Sequence, residues 1–316
     1  MECTGDRCLM PRCCLVKVVL AISSYLGDLA ALDLVEAARS ASFEGYFDAI
    51  AVIDSGARER CAPLGEALAL DHPDVEYRWH ESNLGSAGNL VARLDWAIDA
   101  GADAVLAVNA DGVLVADNIA RMLTCLSDPV TAAVYPTHVI DGQRVDLSGC
   151  RSVPILPSRQ PLTRLAGKRS IAVRWGSSNG ALYRVDALKT LALDDIASLW
   201  YGWEDLGIGL ALHAAGHRQL MSAEASQPTR ADQRYLSGTR VVVSAKEPWT
   251  TYYGVRNLLL LAKAYPGHTL RIALRVSREF VVIMLRDRRR QRYARALRGL
   301  LDGVRGVTGQ QLQPTG

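Results

Sequence analysis

The stretch Ala104-Val105-Leu106-Ala107-Val108-Asn109-Ala110-Asp111-Gly112 carries the most information about the fold. Five apolar residues in a row read as a strand buried on both faces, and the polar residues and glycine after them end it in a turn. Upstream, Ala87–Ala100 predicts a helix stopped by Gly101. Further back, Val75–His80, Ala49–Ile53 and Val18–Ser24 predict three more strands, and Leu29–Ala41 a helix with Asp28 as its N-cap. Downstream, Asp117–Leu126 predicts a helix and Ala132–Tyr135 another strand. Alternating buried strands and helices imply an α/β fold, a mostly parallel sheet flanked by helices. Such sheets bind ligands at the carboxyl ends of their strands. Asp54 and Asp111 each follow a predicted strand end, so both are expected in one crevice.

The second half is less regular. Residues 141–170 hold three prolines and no clear period, and read as a long loop or irregular insertion. Ile171–Trp175 and Gly180–Arg184 resume the strands. Glu204–Ala215 predicts a helix ended by Gly216, Arg218–Ser222 a strand, 223–248 a polar loop, and Tyr252–Ala264 a helix before Pro266-Gly267. A final helical stretch covers about 269–305, with no internal repeat anywhere.

Composition and charge exclude several classes. A chain of 316 residues with 49% hydrophobic and 22% charged residues is neither disordered nor collagenous. The net charge of +3 conceals a split: residues 271–305 carry eleven Arg against Glu279, Asp287 and Asp302, about +8, which leaves −5 for the rest. Nucleic-acid binding is therefore not expected, because the main body is acidic. Seven cysteines, four of them in the first fourteen residues, show no metal-binding spacing and suit a reducing cytosol. No apolar run reaches the length of a membrane span.

The familiar phosphate and hydrolase signatures (the P-loop, G-x-G-x-x-G, H-E-x-x-H, G-x-S-x-G) are missing. What remains is a series of polar strand and helix ends. Asp54 before Gly56 is either a turn former or a hydrogen-bond acceptor for a ligand. Asn83-Leu84-Gly85-Ser86-Ala87-Gly88-Asn89 leads into a helix, where glycines permit close backbone approach and the helix start favours anions. Asn109 and Asp111 offer oxygen ligands suited to Mg²⁺ or Mn²⁺ beside a diphosphate. Glu204 and Asp205 open a helix, where they complement its dipole or supply a general base.

In this order, the segments resemble family 2 glycosyltransferases with the nucleotide-diphospho-sugar transferase (GT-A) fold. The carriers are Val18–Ser24, Ile53–Gly56, Asn83–Asn89, Val108–Asp111, Ser178–Arg184, Glu204–Leu206 and Tyr252-Tyr253-Gly254-Val255-Arg256-Asn257. The last segment looks most like the bacterial rhamnosyl- and galactofuranosyl-transferase branches. The resemblance covers about residues 15–265. It implies an inverting transfer of sugar from a UDP- or dTDP-sugar to a hydroxyl of a saccharide or lipid-linked acceptor, in cell-surface polysaccharide or glycolipid synthesis.

It also implies roles. Asp54 would contact the donor nucleoside, and Asn83, Gly85 and Gly88 would shape the donor-side turn; apart from the resemblance, Arg184 either contacts donor phosphate or caps the helix that follows at Asp186. Asp111, with Asn109 in place of the family's first acid, would hold Mg²⁺ or Mn²⁺ and the diphosphate. Asp205 would be the base, with Glu204 as its alternate; apart from the resemblance, Trp203 and Trp175 either stack on an acceptor sugar or belong to the core. Two departures stand out: Ala223–Ser237 lacks the histidine many relatives place there, and Gly207 replaces a further acid. The expected organisation is a disordered segment 1–14, a catalytic domain 15–265 with a donor half (15–135) and an acceptor half (136–265), and a basic helical tail 266–316. In the tail, Ile272, Val276, Phe280 and Ile283 share one helix face, and Tyr293, Leu297, Leu301 and Val304 another, with arginines beside both. Such faces suit either an anionic membrane surface or packing on the domain. The expected location is the cytoplasm, peripheral on the inner face of the cell membrane. The competing readings are a sugar-nucleotide nucleotidyltransferase, which would need a basic Gly-rich loop where Ser23–Asp28 stands, and a non-catalytic membrane-docking scaffold.

Overall fold

A computed structural model describes residues 17–140, 143–146, 160–161, 168–228, 233–235, 242–244, 247–284 and 290–313. The expectations for segment 1–14, and for most of the insertion at 141–170, lie outside these residues. The first half alternates as expected: β1 (Val18–Ser23), α1 (Ala30–Arg39), β2 (Ala49–Ser55), α2 (Arg58–Asp71), β3 (Glu76–His80), α3 (Gly85–Asp99), β4 (Ala104–Asn109) and α4 (Ala116–Leu126). The sequence pattern had not shown α2, which carries Pro63 in its interior and buries only Cys61, Leu64 and Leu68. Asp28 stands two residues before α1 and accepts a hydrogen bond from the Ala30 amide.

The second half is β5 (Thr131–Ile140), β6 (Gln143–Asp146), β7 (Gln160–Pro161), β8 (Ser170–Val173), β9 (Ala181–Arg184), α5 (Val185–Leu188), α6 (Leu193–Ala197), α7 (Glu204–Ala214), β10 (Arg218–Pro228), β11 (Gln233–Tyr235) and β12 (Val242–Ser244). Three helices follow: α8 (Pro248–Ala264), α9 (Thr269–Val282) and α10 (Arg290–Arg305). The main sheet runs β3-β2-β1-β4-β9-β5-β10-β8. It is parallel from β3 to β4, and β5 and β10 are also parallel. Between them β9 lies antiparallel to both β4 and β5, and β8 antiparallel to β10, so the sheet is mixed. Strand β10 continues through residues expected to start a polar loop.

Alternation along β1 explains the layers. Val19 and Ala21 face α3, packing with Leu90, Leu94 and Trp96, while Leu20 and Ile22 face α1 and α2 with Leu34, Val35, Leu64 and Leu68. A third apolar group joins Leu206 and Leu210 of α7 to Leu258 and Leu261 of α8, Ile272 and Val276 of α9, and Ala296 of α10. The basic tail thus folds back onto the body, with its Ile272–Val276–Ile283 stripe turned inward. Among the described residues no helix is long and apolar enough to cross a membrane.

Candidate active site

The carboxyl ends of β1 and β4, the start of α3, the β8–β9 turn and the start of α7 enclose a cavity of about 530 Å³. Its polar wall includes Asn109, Asp111, Glu204, Asp205 and Arg93; its aromatic wall is Trp200, Tyr201 and Trp249. Residues far apart in sequence, Asp111 and Asp205 among them, therefore share one solvent-accessible space.

Asp111 is exposed on this wall, one residue beyond Ala110 in the turn after β4. Asn109 is more constrained. Its side-chain oxygen accepts from Ser23 Oγ at 3.3 Å and lies 3.5 Å from Arg93 Nη2, while its backbone amide donates to Asn179 Oδ1. Among the described residues no three His, Cys, Asp or Glu side chains stand close enough to enclose a metal ion. Asp111 is the residue that would hold a hydrated cation such as Mg²⁺, which a single protein carboxylate suits. Asp205 sits half-buried in the first turn of α7, and its Oδ1 accepts the Ser178 amide at 3.0 Å, which fixes its direction.

The loop before α7 is wound unusually tightly. Trp200 (φ 61°), Gly202 (φ 80°) and Trp203 (φ 69°) all take left-handed backbone conformations, which are costly for tryptophan. Neighbours hold the loop there. Asn257 Nδ2 reaches the carbonyls of Leu199, Tyr201 and Gly202 at 2.8–3.0 Å, and Arg256 Nη2 reaches Leu199 O at 2.7 Å. From the other side, Trp200 Nε1 donates to Asn83 O, Ala87 N to Trp200 O, and Gly202 N to Ser86 Oγ. A Cβ on Gly85 (φ 66°) would collide with the Trp200 carbonyl. That glycine lines the cavity, but its immediate constraint is this backbone-to-backbone approach. The Arg-Asn pair of α8 thus acts from beneath the loop.

Several expected site residues lie elsewhere. Asp54 is fully buried and spent: it accepts from the amides of Ser55 and Gly27 and from Tyr77 Oη at 2.9 Å. It shapes the turn between β1 and α1, and its neighbour Ser55 reaches the cavity instead. Arg184 faces away, donating to the carbonyls of Leu126, Asp128 and Thr131. Gly88 lies against Leu84, off the wall. Trp175 is buried in the third apolar group, and Trp203 packs beside that group with Nε1 bonded to Gly254 O. Asn83 and Gly85 do line the cavity.

Arg93 was missed. It is buried in α3, one turn after Asn89, and donates to Val108 O at 3.1 Å. Burial pulls its guanidinium down to about 10, opposed by Tyr183, Asp205 and Glu204, so it stays cationic at neutral pH. Two polar residues at i and i+4 within the face of Leu90, Leu94 and Ala97 were the available signal.

Residues 24–192 match the family model described as glycosyl transferase family 2. No curated protein sequence matches the chain significantly. Among solved structures, S. aureus TarS 1–349 in complex with UDP-GlcNAc is similar with a TM-score of 0.54 at 15% identity, covering 92% of this chain and 82% of that one. TarS 1–349 in a separate crystal structure gives 0.52, also at 15%, covering 92% and 81%. GalNAc-T7 with UDP, GalNAc and Mn²⁺ gives 0.57 at 16%, over 78% of this chain and 49% of that one, so the chain spans about half of GalNAc-T7. At these identities the likeness concerns the fold, the GT-A arrangement.

Proposed function

This protein belongs to glycosyl transferase family 2, whose model matches more than half of its chain, and we propose that it transfers a sugar from a UDP- or dTDP-sugar to a hydroxyl of a saccharide or lipid-linked acceptor, with inversion. The observation that carries this reading is one cavity holding Asp111, Asp205 and an aromatic wall. The UDP-GlcNAc in the TarS complex and the UDP, GalNAc and Mn²⁺ with GalNAc-T7 support a nucleotide-sugar donor.

The donor lies on the side of Ser24, Tyr25 and Asn83, with its diphosphate toward Asp111. A bound Mg²⁺ or Mn²⁺ would neutralise charge on the departing diphosphate, held by Asp111 rather than by Asn109, whose oxygen is engaged. The acceptor stacks on Trp200, Tyr201 or Trp249, in place of Trp203 and Trp175. Asp205 takes the acceptor's hydroxyl proton as that oxygen bonds to the anomeric carbon and the bond to the diphosphate oxygen breaks. A single in-line displacement inverts the anomeric centre. Arg93 supplies a fixed positive charge beneath Asn109, and the charges of Asp205 and Glu204 help offset the burial of its guanidinium. The donor half is 15–135, the acceptor half 136–265, and the product belongs to cell-surface polysaccharide or glycolipid.

Isothermal titration with UDP and with dTDP in Mn²⁺ tests the donor side. Asp111→Ala should weaken binding about tenfold or more, the scale of a lost charged contact. Asp205→Asn should keep nucleotide affinity and lose transfer by about 10²-fold or more. Absence of binding to both nucleotides, or full turnover in Asp205→Asn, sinks the assignment.

A further inference from the structure

The tail helices bury one apolar face and keep another outside. In α9, Ile272 and Val276 pack inward, yet Leu270, Leu274, Val281 and, just past the helix, Met284 are exposed. Their spacings of four, seven and three place them on one face. Leu270 is 74% exposed, far beyond a residue that merely borders a core. In α10, Ala296, Gly299 and Gly303 turn toward α8, where only small residues fit. On its other side Tyr293, Leu297, Leu301 and Val304 stand exposed at spacings of four, four and three, Val304 at 61%. Phe280 packs edge-on against Tyr293 at 5.9 Å, which joins the end of α9 to the start of α10.

Charge selects the occupant. The two helices carry eight arginines and two acids, and those acids, Glu279 and Asp302, lie beside Arg275 and Arg298. Arg271 and Arg278 flank the outer stripe of α9, and Arg298 and Arg305 that of α10. A second copy docked face to face would set arginines against arginines. An anionic bilayer offers negative headgroups for the arginines and acyl chains for the leucines. We infer that the outer faces of α9 and α10 dock this protein on an anionic lipid surface.

The inner side of α10 connects to the cavity wall. Asp302 of α10 accepts from Tyr252 Oη at 2.8 Å, and Leu312 packs with Tyr252, Tyr253 and Trp200, the last of these in the aromatic wall. On the transferase reading, and resting on it, the helix that carries part of the docking face also braces the aromatic wall, an arrangement that suits a lipid-linked acceptor.

Vesicle co-sedimentation of the full chain tests it, with phosphatidylcholine alone or mixed with phosphatidylglycerol. Binding is expected only with the anionic lipid, and weaker at high salt. Leu297→Glu with Leu301→Glu should abolish it. Arg278→Gln with Arg305→Gln should weaken it about 25-fold, roughly fivefold for each charge. Because Leu297, Leu301 and Arg305 are exposed, Arg278 is only half-buried and none of them lines the cavity, melting temperature and UDP affinity should stay unchanged; a fault in the transferase reading shows instead as lost UDP binding. The proposal is overturned by binding that ignores phosphatidylglycerol, by no binding at all, or by self-association that the glutamate pair dissolves.

Discussion

Asn257 never reaches the cavity, yet its amide meets three carbonyls of the loop that does. Asn257→Ala removes the side-chain donor to the Tyr201 and Gly202 carbonyls, while Leu199 O keeps Arg256, and should cost about 2–3 kcal/mol in urea unfolding. It should also raise the acceptor KM while UDP affinity holds, since the loop carries Trp200 and Tyr201. Buried His138 provides a pH signature. Burial pushes its imidazole down to about 4, against about 6.5 in an unfolded chain. Between those values the unfolded state binds a proton that the folded state refuses. Stability therefore falls as pH drops through this window, by up to about 3 kcal/mol. Urea titrations across the window should show that slope, and His138→Gln should flatten it. At this scale the placement of Asp111 and Asp205 on the cavity wall was legible, because a carboxylate just past a strand or at a helix start declares itself. The choice among tryptophans was not: left-handed backbone at residues 200, 202 and 203 reverses which ring meets the cavity, and no local pattern announces it.

The α8–α10 pair shows how one substitution changes sign with its element. A methyl group added at Gly254, in α8, would meet nothing within 4 Å, so Gly254→Ala should stabilise by about 0.5–1 kcal/mol through helix propensity. Gly299, in α10, would drive the same methyl into the Tyr252 carbonyl, so Gly299→Ala should destabilise by about 1–3 kcal/mol. Melting temperatures of the two variants should move in opposite directions. Elements were readable where burial imposed a continuous apolar run, as in β1, β2 and β4. They were hidden where it did not. Helix α2 shows three buried side chains in fourteen residues and an internal proline. The antiparallel setting of β9 between β4 and β5 depends on long-range pairing that its four residues do not encode. The tail helices were legible as amphipathic, but not which apolar stripe each would bury. Helix α9 hides the stripe read from its sequence and exposes a second, whereas α10 exposes the one that was read.

Across the whole molecule, the last described residues return to the proposed acceptor side. Gly309 N donates to Ser198 O at 2.7 Å, and Arg256 Nη1 to Gly309 O at 2.6 Å. Tyr253 Oη accepts the amides of Gln311 and Leu312 and donates to Leu312 O, each at 2.9 Å. Ending the chain after Arg305 removes all of these. The shortened protein should melt at lower temperature and lose acceptor turnover several-fold, while UDP binding stays within about twofold, the scatter expected of distant sites. Equal loss of UDP affinity would show the strap to be a general support. Its position in the chain also sets an order of assembly. Strands β1 to β4 leave the ribosome early, but β4 waits for β9, and the aromatic wall waits for residues 309–312. A nascent chain can thus shape its proposed nucleotide side long before its proposed acceptor side is braced. A product clipped near residue 305 would be an enzyme that holds its donor and has nowhere firm to deliver the sugar.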